Sequence, residues 1–424
     1  HYNRMYHHLL FFTLVLHLGH IHPAMASDLS LGGHLKTQTS HSDFDSNNLI
    51  DQLGPERPTT QTLDLRTNSA VSHGSLELVA QAEFLALISD NLAARKDLAR
   101  QLGELQPDRL LPTDNRRLFD FSKEIVDANK VQAVARLDRL YLVHSDESTV
   151  LKAGRQAISW GNGLVFHTFD LFNPFSPVEI DRDYKPGDDM LYAQQLFANG
   201  ADLQLLAVVR RDTLTNNVKD SASSYASKFH ARLEEIDLDY ELLVARHYED
   251  HLAGFGLSRS FFGAVWRTDI LYTREDSERD FVQLVANLDR SWFICGKNVY
   301  AYLEYYYNGV GSSDDNYSRI APQLRERVDH GELFTLGRNY LSLGTRVEVT
   351  PLFNIFLNQI LNLNDTSGFF QYRGELELTQ STALLFGINI PFGGVGSEFG
   401  GIPIAEDTIL AASKDIYARL AWFF

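Results

Sequence analysis

The chain has 424 residues, of which 44% are apolar, 22% charged and 12% aromatic, and its formal charge is −17. That charge excludes a general nucleic-acid binder, which needs a basic footprint, and the composition fits neither a disordered chain nor a helical membrane protein. The single cysteine, Cys295, leaves no intramolecular disulfide and reads as a small buried or lipid-facing residue.

In chain order, the first element is a leader. Leu9–Leu18 is a ten-residue, almost wholly apolar run, with Arg4 ahead of it and Ala24-Met25-Ala26 behind it. The run is too short to cross a bilayer and suits the core of a secretion signal with an A-x-A cleavage site. A signal peptide over residues 1–26 and a single exported domain over residues 27–424 are expected. No later stretch has 18 consecutive apolar residues, so export is not followed by a membrane helix.

The rest of the chain reads as strands. Apolar residues recur at every second position, the pattern of a sheet with one apolar face. Seventeen segments qualify: Leu29–Gln38, Gln61–Arg66, Ser75–Ile88, Gln132–Val143, Val150–Ser159, Asp189–Phe197, Asp202–Arg211, Ile236–His247, Leu252–Phe261, Ala264–Thr273, Phe281–Trp292, Val299–Asn308, Tyr340–Val349, Phe353–Leu363, Phe369–Thr379, Thr382–Ile390 and Asp415–Phe424. In the last, Ile416, Ala418, Leu420, Trp422 and Phe424 share one face, opposite Tyr417, Arg419, Ala421 and Phe423. Some of these segments are expected to be loop. The alternation alone fits a soluble β-sandwich as well as a membrane barrel. The leader, the terminal Phe424 and the absence of disulfides favour the membrane form, so the expected fold class is all-β: one transmembrane antiparallel barrel of about 14 strands, with a range of 12–18.

Three long connections stand out. Asp90–Asn129 contains NLAARKDLARQLGEL, which has helical spacing; Gly309–Gly337 is polar; Gly161–Asp188 is rich in Phe, Asp and Pro. The third carries Leu164, Val165, Phe166, Phe169, Leu171, Phe172 and Phe175 within 12 residues, an apolar load that an external loop would avoid. It is predicted to fold into the lumen as a constriction formed by Phe166, Phe169, Phe172, Phe175, Asp181, Asp183, Lys185 and Asp188. Its carboxylates Glu179, Asp181, Asp183, Asp188 and Asp189 alternate with Arg182 and Lys185. Internal salt bridges are the first reading of that cluster, and Ca²⁺ binding is the second.

Other motifs stay bland. His247 and His251 are four apart, but a strand hairpin runs through them, so helical zinc geometry does not follow and solvated or interfacial histidines are expected. Gly393–Gly401 is glycine-rich but lacks the Lys-Ser/Thr of a phosphate loop. No G-x-S-x-G or H-E-x-x-H occurs, and no cofactor is implied.

The stretch from Gly154 to Met190, with Gly154-Arg-Gln followed by Trp160-Gly, resembles an uncharacterised family of proteobacterial outer-membrane barrels related to alginate-export and other porin-like barrels. Arg136–Tyr141, Glu304–Gly309, Asn362–Asp365 and Glu398–Gly401 carry the same resemblance, which runs from about residue 60 to the end. It implies a Gram-negative outer-membrane location and channel or export work on a solute or lipid-like molecule. Expected partners are outer-membrane lipid and lipopolysaccharide, the barrel assembly machinery through the terminal strand, and a periplasmic or inner-membrane transport partner. The alternatives are a plugged structural or adhesin barrel and an outer-membrane hydrolase. Charged positions on the polar face of the strands are candidates for lining the lumen and tuning selectivity: Arg136, Arg155, Arg210, Arg267, Asp269, Glu304, Arg346, Glu348, Arg373, Glu375, Glu377 and Arg419.

Overall fold

The computed structural model describes residues 28–102, 111–179, 183–275, 279–314, 317 and 320–424. The expected leader, and Asp181 and Arg182 of the acidic cluster, lie outside them. No helix among the described residues is long and apolar enough to cross a membrane.

The strands are β1 (Asp28–Asp43), β2 (Thr59–His73), β3 (Leu76–Ser89), β4 (Ser122–Asp127), β5 (Val131–Ser145), β6 (Thr149–Gln156), β7 (Asp188–Leu196), β8 (Asp202–Val208), β9 (Ser224–Leu233), β10 (Leu238–His247) and β11 (Asp250–Phe261). They continue with β12 (Ala264–Arg274), β13 (Phe281–Ile294), β14 (Lys297–Asn308), β15 (Asn339–Thr350), β16 (Phe353–Asn362), β17 (Gly368–Thr379), β18 (Thr382–Phe392), β19 (Ile402–Ala405), β20 (Thr408–Leu410) and β21 (Lys414–Phe423). Three helices lie in the connections: α1 (Leu49–Leu53), α2 (Leu92–Leu102) and α3 (Pro322–His330).

Eighteen strands make one closed antiparallel wall: β1–β3, β5–β18 and β21. The last strand closes on the first, from His34 opposite Phe423 to Asp43 opposite Lys414. Closure leaves no free sheet edge, a condition for a sheet to cross a bilayer. The count corrects the expected 14. All 17 patterned segments are wall strands, and none is loop. The missing one is β9, whose outward positions Tyr225, Ser227, Phe229, Ala231 and Leu233 include too many small residues to show an apolar face in sequence. β4 shares an edge of β5 with β6: it pairs Ser122–Asp127 with the first half of β5, and β6 pairs with the second.

The connections alternate in length. Those after β2, β5, β7, β9, β11, β13, β15 and β17 are turns of two to five residues, and the other ends carry the long loops with α1, α2 and α3 beside the two-residue turn between β10 and β11. Short turns mark the periplasmic side and long loops the extracellular side. Cys295-Gly296 is one such turn, with φ of 51° and 76°. Positive φ at both central residues is the type I′ geometry that matches strand twist. Cys295 is thus exposed on a turn, not buried or lipid-facing as expected.

Side chains alternate across the wall. Leu420, Ile416 and Trp422 point outward and are exposed, while Tyr417 and Ala421 are buried inside. Leu191, Leu205, Val244, Ile270 and Leu357 continue the exposed apolar band. The band has the character of a lipid-facing surface.

The interior is not evenly open. Lumen-facing Met190, Leu206, Val208, Leu243, Leu252 and Leu271 pack around Trp160, Phe169 and Phe172 of the loop between β6 and β7. A second cluster joins Val165 and Phe166 of that loop to Val285, Tyr306, Tyr340, Ile360 and Phe369. The loop therefore packs along β7–β17, and the space it leaves is lined by β14–β18, β21 and β1.

Candidate functional site

The inward loop is held by carboxylates of the wall. Glu304, on the lumen face of β14, accepts the backbone N–H groups of Leu164 (2.6 Å), Val165 (3.0 Å) and Phe166 (2.8 Å) and the amide of Asn287 (3.1 Å). Asp269 on β12 accepts the backbone N–H of Asn162 at 2.6 Å and its side-chain amide at 2.7 Å. Both carboxylates are fully buried. Three consecutive N–H groups converging on one anion form a nest, and a fixed carboxylate satisfies donors that the turn cannot satisfy itself. Glu304 and Asp269 are therefore loop anchors in this structure, not free charges on the wall.

The phenylalanines hold the loop down. Phe166 stacks on Tyr306 with centroids 4.4 Å apart. Phe172 meets Trp160 edge-on. Phe169 has no exposed surface, and its ring lies against Gly254 and Gly256 of β11, where a Cβ would stand 2.7 Å and 3.3 Å from ring atoms. The two glycines hollow the wall to admit the ring. Of the four, Phe175 is only half-buried and lines a small cavity. Lys185 is buried on Asp170 and donates to the carbonyl of Ile158 at 2.5 Å. Asp183 reaches β1, 2.6 Å from the Lys36 ammonium. Asp188 binds Arg210 at 2.7 Å, and Asp189 binds Arg155 at 2.9 Å. The described part of the acidic cluster is thus a set of salt bridges, and among the described residues no three metal-ligating side chains come together.

Two candidates sit elsewhere than on an open lumen wall. Arg155 is 1% exposed and sealed between Asp114 (2.7 Å), Asp189 and the carbonyl of Phe119 (2.6 Å), where β6 ends and β4 begins along β5. These partners hold the carboxyl of Asp114 below its ordinary range, because Arg117 and Arg155 flank it. Arg210 is buried among Asp188, Ser224 and the ring of Tyr248. His247, expected to be solvated, is buried and bonded to Ser224 at 2.9 Å.

Arg136 belongs to a buried lumen network. It meets Glu83 at 2.5 Å and Asp138 at 3.2 Å, while Arg66 meets the same two acids at 2.5 and 3.0 Å and Arg139 meets Asp138 at 2.6 Å. A register shift opposite Gln81 and Ala82 leaves Asp138 as an extra residue, so that Asp138 and Arg139 both turn inward. Arg66 stacks on Tyr184 of the loop, 4.2 Å from the ring centre. Arg267 binds Asp289 at 2.5 Å, Glu348 accepts from Asn298 at 2.9 Å, and Glu377 is exposed near a periplasmic turn.

The remaining candidates come together. Arg346, Arg373, Glu375 and Arg419 line a chamber of about 650 Å³ on the periplasmic side of the loop. Tyr300, Tyr302, Phe356, Asn358, Gln371 and Lys36 share it, and Leu164, Val165, Pro177, Val178, Glu179 and Asp183 close it toward the loop. The Arg373 guanidinium lies 4.1 Å above Phe356, and Arg346 lies 5.8 Å from Tyr300. The loop tip crosses to β17, where Gln371 donates to the carbonyl of Val178 at 3.5 Å. Beyond the loop, Val165 and Pro177 also border a cavity of about 50 Å³, which shares Arg327 and Glu332 with an outer vestibule of about 310 Å³. The small cavity thus shares lining residues with the chamber on one side and with the vestibule on the other.

Lys36 and Arg66 were missed by sequence reasoning, although both sit on the polar face of strands whose alternation was legible. Asp114, which belongs to a loop, carries no sequence signal.

No family model matches the sequence, and no curated protein is similar to it. Solved structures are. A BenF-like porin from Pseudomonas fluorescens Pf-5 superimposes with a TM-score of 0.53 at 9% identity, covering 94% of this chain and 98% of the other. OccAB1 of Acinetobacter baumannii gives 0.52 at 9% identity over 94% and 96%, and OccAB4 of the same species gives 0.51 at 9% over 95% and 100%. The fold is porin-like, of the kind that spans bacterial outer membranes. The likeness supports the porin-like part of the expected resemblance and not its alginate-export part.

Proposed function

We propose that this protein is an outer-membrane channel that passes small organic anions through a passage narrowed by the loop between β6 and β7. The observation that carries the reading is the chamber lining, where Arg346, Arg373 and Arg419 stand beside Tyr300 and Phe356 and outnumber the acids Glu375 and Glu179, while Asp183 is paired with Lys36. Guanidinium groups on aromatic faces keep their charge and present donors to an anion, and the rings offer contact to its organic body. Lumen charge of one sign biases permeation toward the opposite sign.

A second reading has its own support. The loop fills much of the lumen with packed phenylalanines, which also suits a plugged structural barrel. Planar-bilayer recording across a KCl gradient separates the two. A channel gives discrete conductance with an anion-selective reversal potential, and replacing Arg346, Arg373 and Arg419 together by Gln moves that potential toward cations. A silent barrel supports the plugged reading, and a cation-selective parent overturns the anion reading.

A further inference from the structure

The lipid-facing surface holds a cationic patch at one place on its periplasmic side. Among the described strand residues, Arg259, Arg290 and Lys297 are the lysines and arginines on outward positions in the periplasmic half of the wall. They lie on β11, β13 and β14, with β12 between the first two. Arg259 is opposite Trp266, Arg290 is opposite Ala264, and Lys297 is opposite Ile294. Arg259 and Arg290 thus flank β12, two residues out of step along it and about 12 Å apart. Both are exposed.

Their surroundings are aromatic rather than acidic. Arg259 lies 5.3 Å from the ring of Phe261, and Arg290 lies 5.6 Å from that of Trp292. Neither makes an ion pair among the described residues, in contrast to Arg66, Arg136, Arg155, Arg210, Arg267 and Arg327. On the turn between β9 and β10, Arg232 contacts Asp237 and lies 3.8 Å from Glu234, and Glu235 is exposed. Elsewhere this rim carries uncharged residues such as Leu78, Leu142, Leu233, Leu378 and Trp422.

An aromatic girdle needs only rings at the level of the headgroups. Two exposed guanidiniums that make no ion pair among the described residues, at that same level, add a charge that the girdle does not require. We propose that Arg259 and Arg290, with Trp266 and Trp292, bind the phosphate of an anionic phospholipid in the periplasmic leaflet. The guanidiniums donate to the phosphate oxygens in their planar, forked geometry, and the indoles sit against the glycerol and upper acyl region. Lys297, whose ammonium contacts the carbonyl of Val349, adds positive field at the patch edge.

Native mass spectrometry of the purified barrel in detergent tests this. Phosphatidylglycerol is added as the anionic probe, and phosphatidylcholine as the zwitterionic one. The parent should retain phosphatidylglycerol in preference to phosphatidylcholine, and R259Q/R290Q should retain it roughly 25-fold less tightly. A second pair, Lys414→Gln with Arg246→Gln, removes outward charge from the extracellular side and should leave retention at the parental level. Cold-gel migration confirms that each variant is folded. Equal retention of the two lipids by the parent, or unchanged phosphatidylglycerol retention in folded R259Q/R290Q, overturns the proposal. Loss in both pairs shows a general charge effect and overturns it as well.

Discussion

Glu304 is the residue whose replacement reports most directly on the inward loop. Its Oε1 accepts from Val165 and Phe166, and its Oε2 accepts from Leu164 and Asn287. Hydrogen bonds to a charged acceptor contribute roughly 1.5–3 kcal/mol each, and those sharing one carboxylate do not add in full. Glu304→Ala should therefore cost about 4–6 kcal/mol, because it leaves three buried backbone donors without an acceptor. Glu304→Gln keeps one oxygen for Val165 and Phe166 but turns an amide N–H₂ toward the donors of Leu164 and Asn287, so about half that loss is expected. Burial of Phe166, Phe169 and Phe172 contributes about 1.5–3 kcal/mol each, so the loop should loosen around 161–166 without leaving the lumen. The assay is twofold: urea unfolding of the detergent-solubilised barrel, followed by gel migration, and open-channel current noise in planar bilayers. Stability should fall in the order parent, Gln, Ala, with noise rising in the same order. Parental stability and parental noise in the folded Ala variant would refute the anchoring argument.

Other outcomes are equally specific. Leu420→Arg should impair assembly more than Arg419→Leu, since Leu420 faces outward and Arg419 faces Gln38 in the lumen at 3.0 Å; a charge at mid-bilayer costs roughly 2–4 kcal/mol. Equal loss of heat-modifiable migration for the two would reverse the facing assignment. Gly254→Val should push Phe169 from its hollow at an overpacking cost of about 1–3 kcal/mol and change conductance, whereas Gly394→Val, where no atom lies within 4 Å, should leave conductance unaltered. Burial raises the carboxyl of Glu398 to about 7, although Tyr340 (2.5 Å), Leu336 (2.6 Å) and Asn362 (2.8 Å) donate to it. A carboxyl whose folded value is raised loses its stabilising contribution as pH climbs from its ordinary range to that value. The latch between the loops at 309–338 and 393–413 should thus be firmest below about pH 4.5 and weakest above about pH 7. Limited proteolysis of segment 393–401 should speed up across that window, and Glu398→Gln should flatten the dependence; cleavage that slows with rising pH would contradict the sign.

Which face of each strand is apolar could be read from the order of residues, because a side chain's side of the sheet follows from the two-residue period alone. That order therefore separated Leu420 from Arg419, Leu303 from Glu304 and Leu376 from Glu375 before any contact was known. The apolar crowding of 164–175 likewise pointed inward, since so many exposed phenylalanines would have no counterpart in water. The period says nothing about neighbours, and that is where the tertiary structure decided. Closure recruited β9, whose small outward residues show little hydrophobic contrast but whose backbone completes the ring between β8 and β10. Glu304 meets its donors across about 140 positions of chain, and Arg155 meets Asp114 across 41. Sequence can mark each as a charge on a strand or in a loop. Whether that charge anchors a loop, seals a seam or stands open to a solute depends on which distant groups the closed wall brings within hydrogen-bonding distance, and on how much water they leave around it.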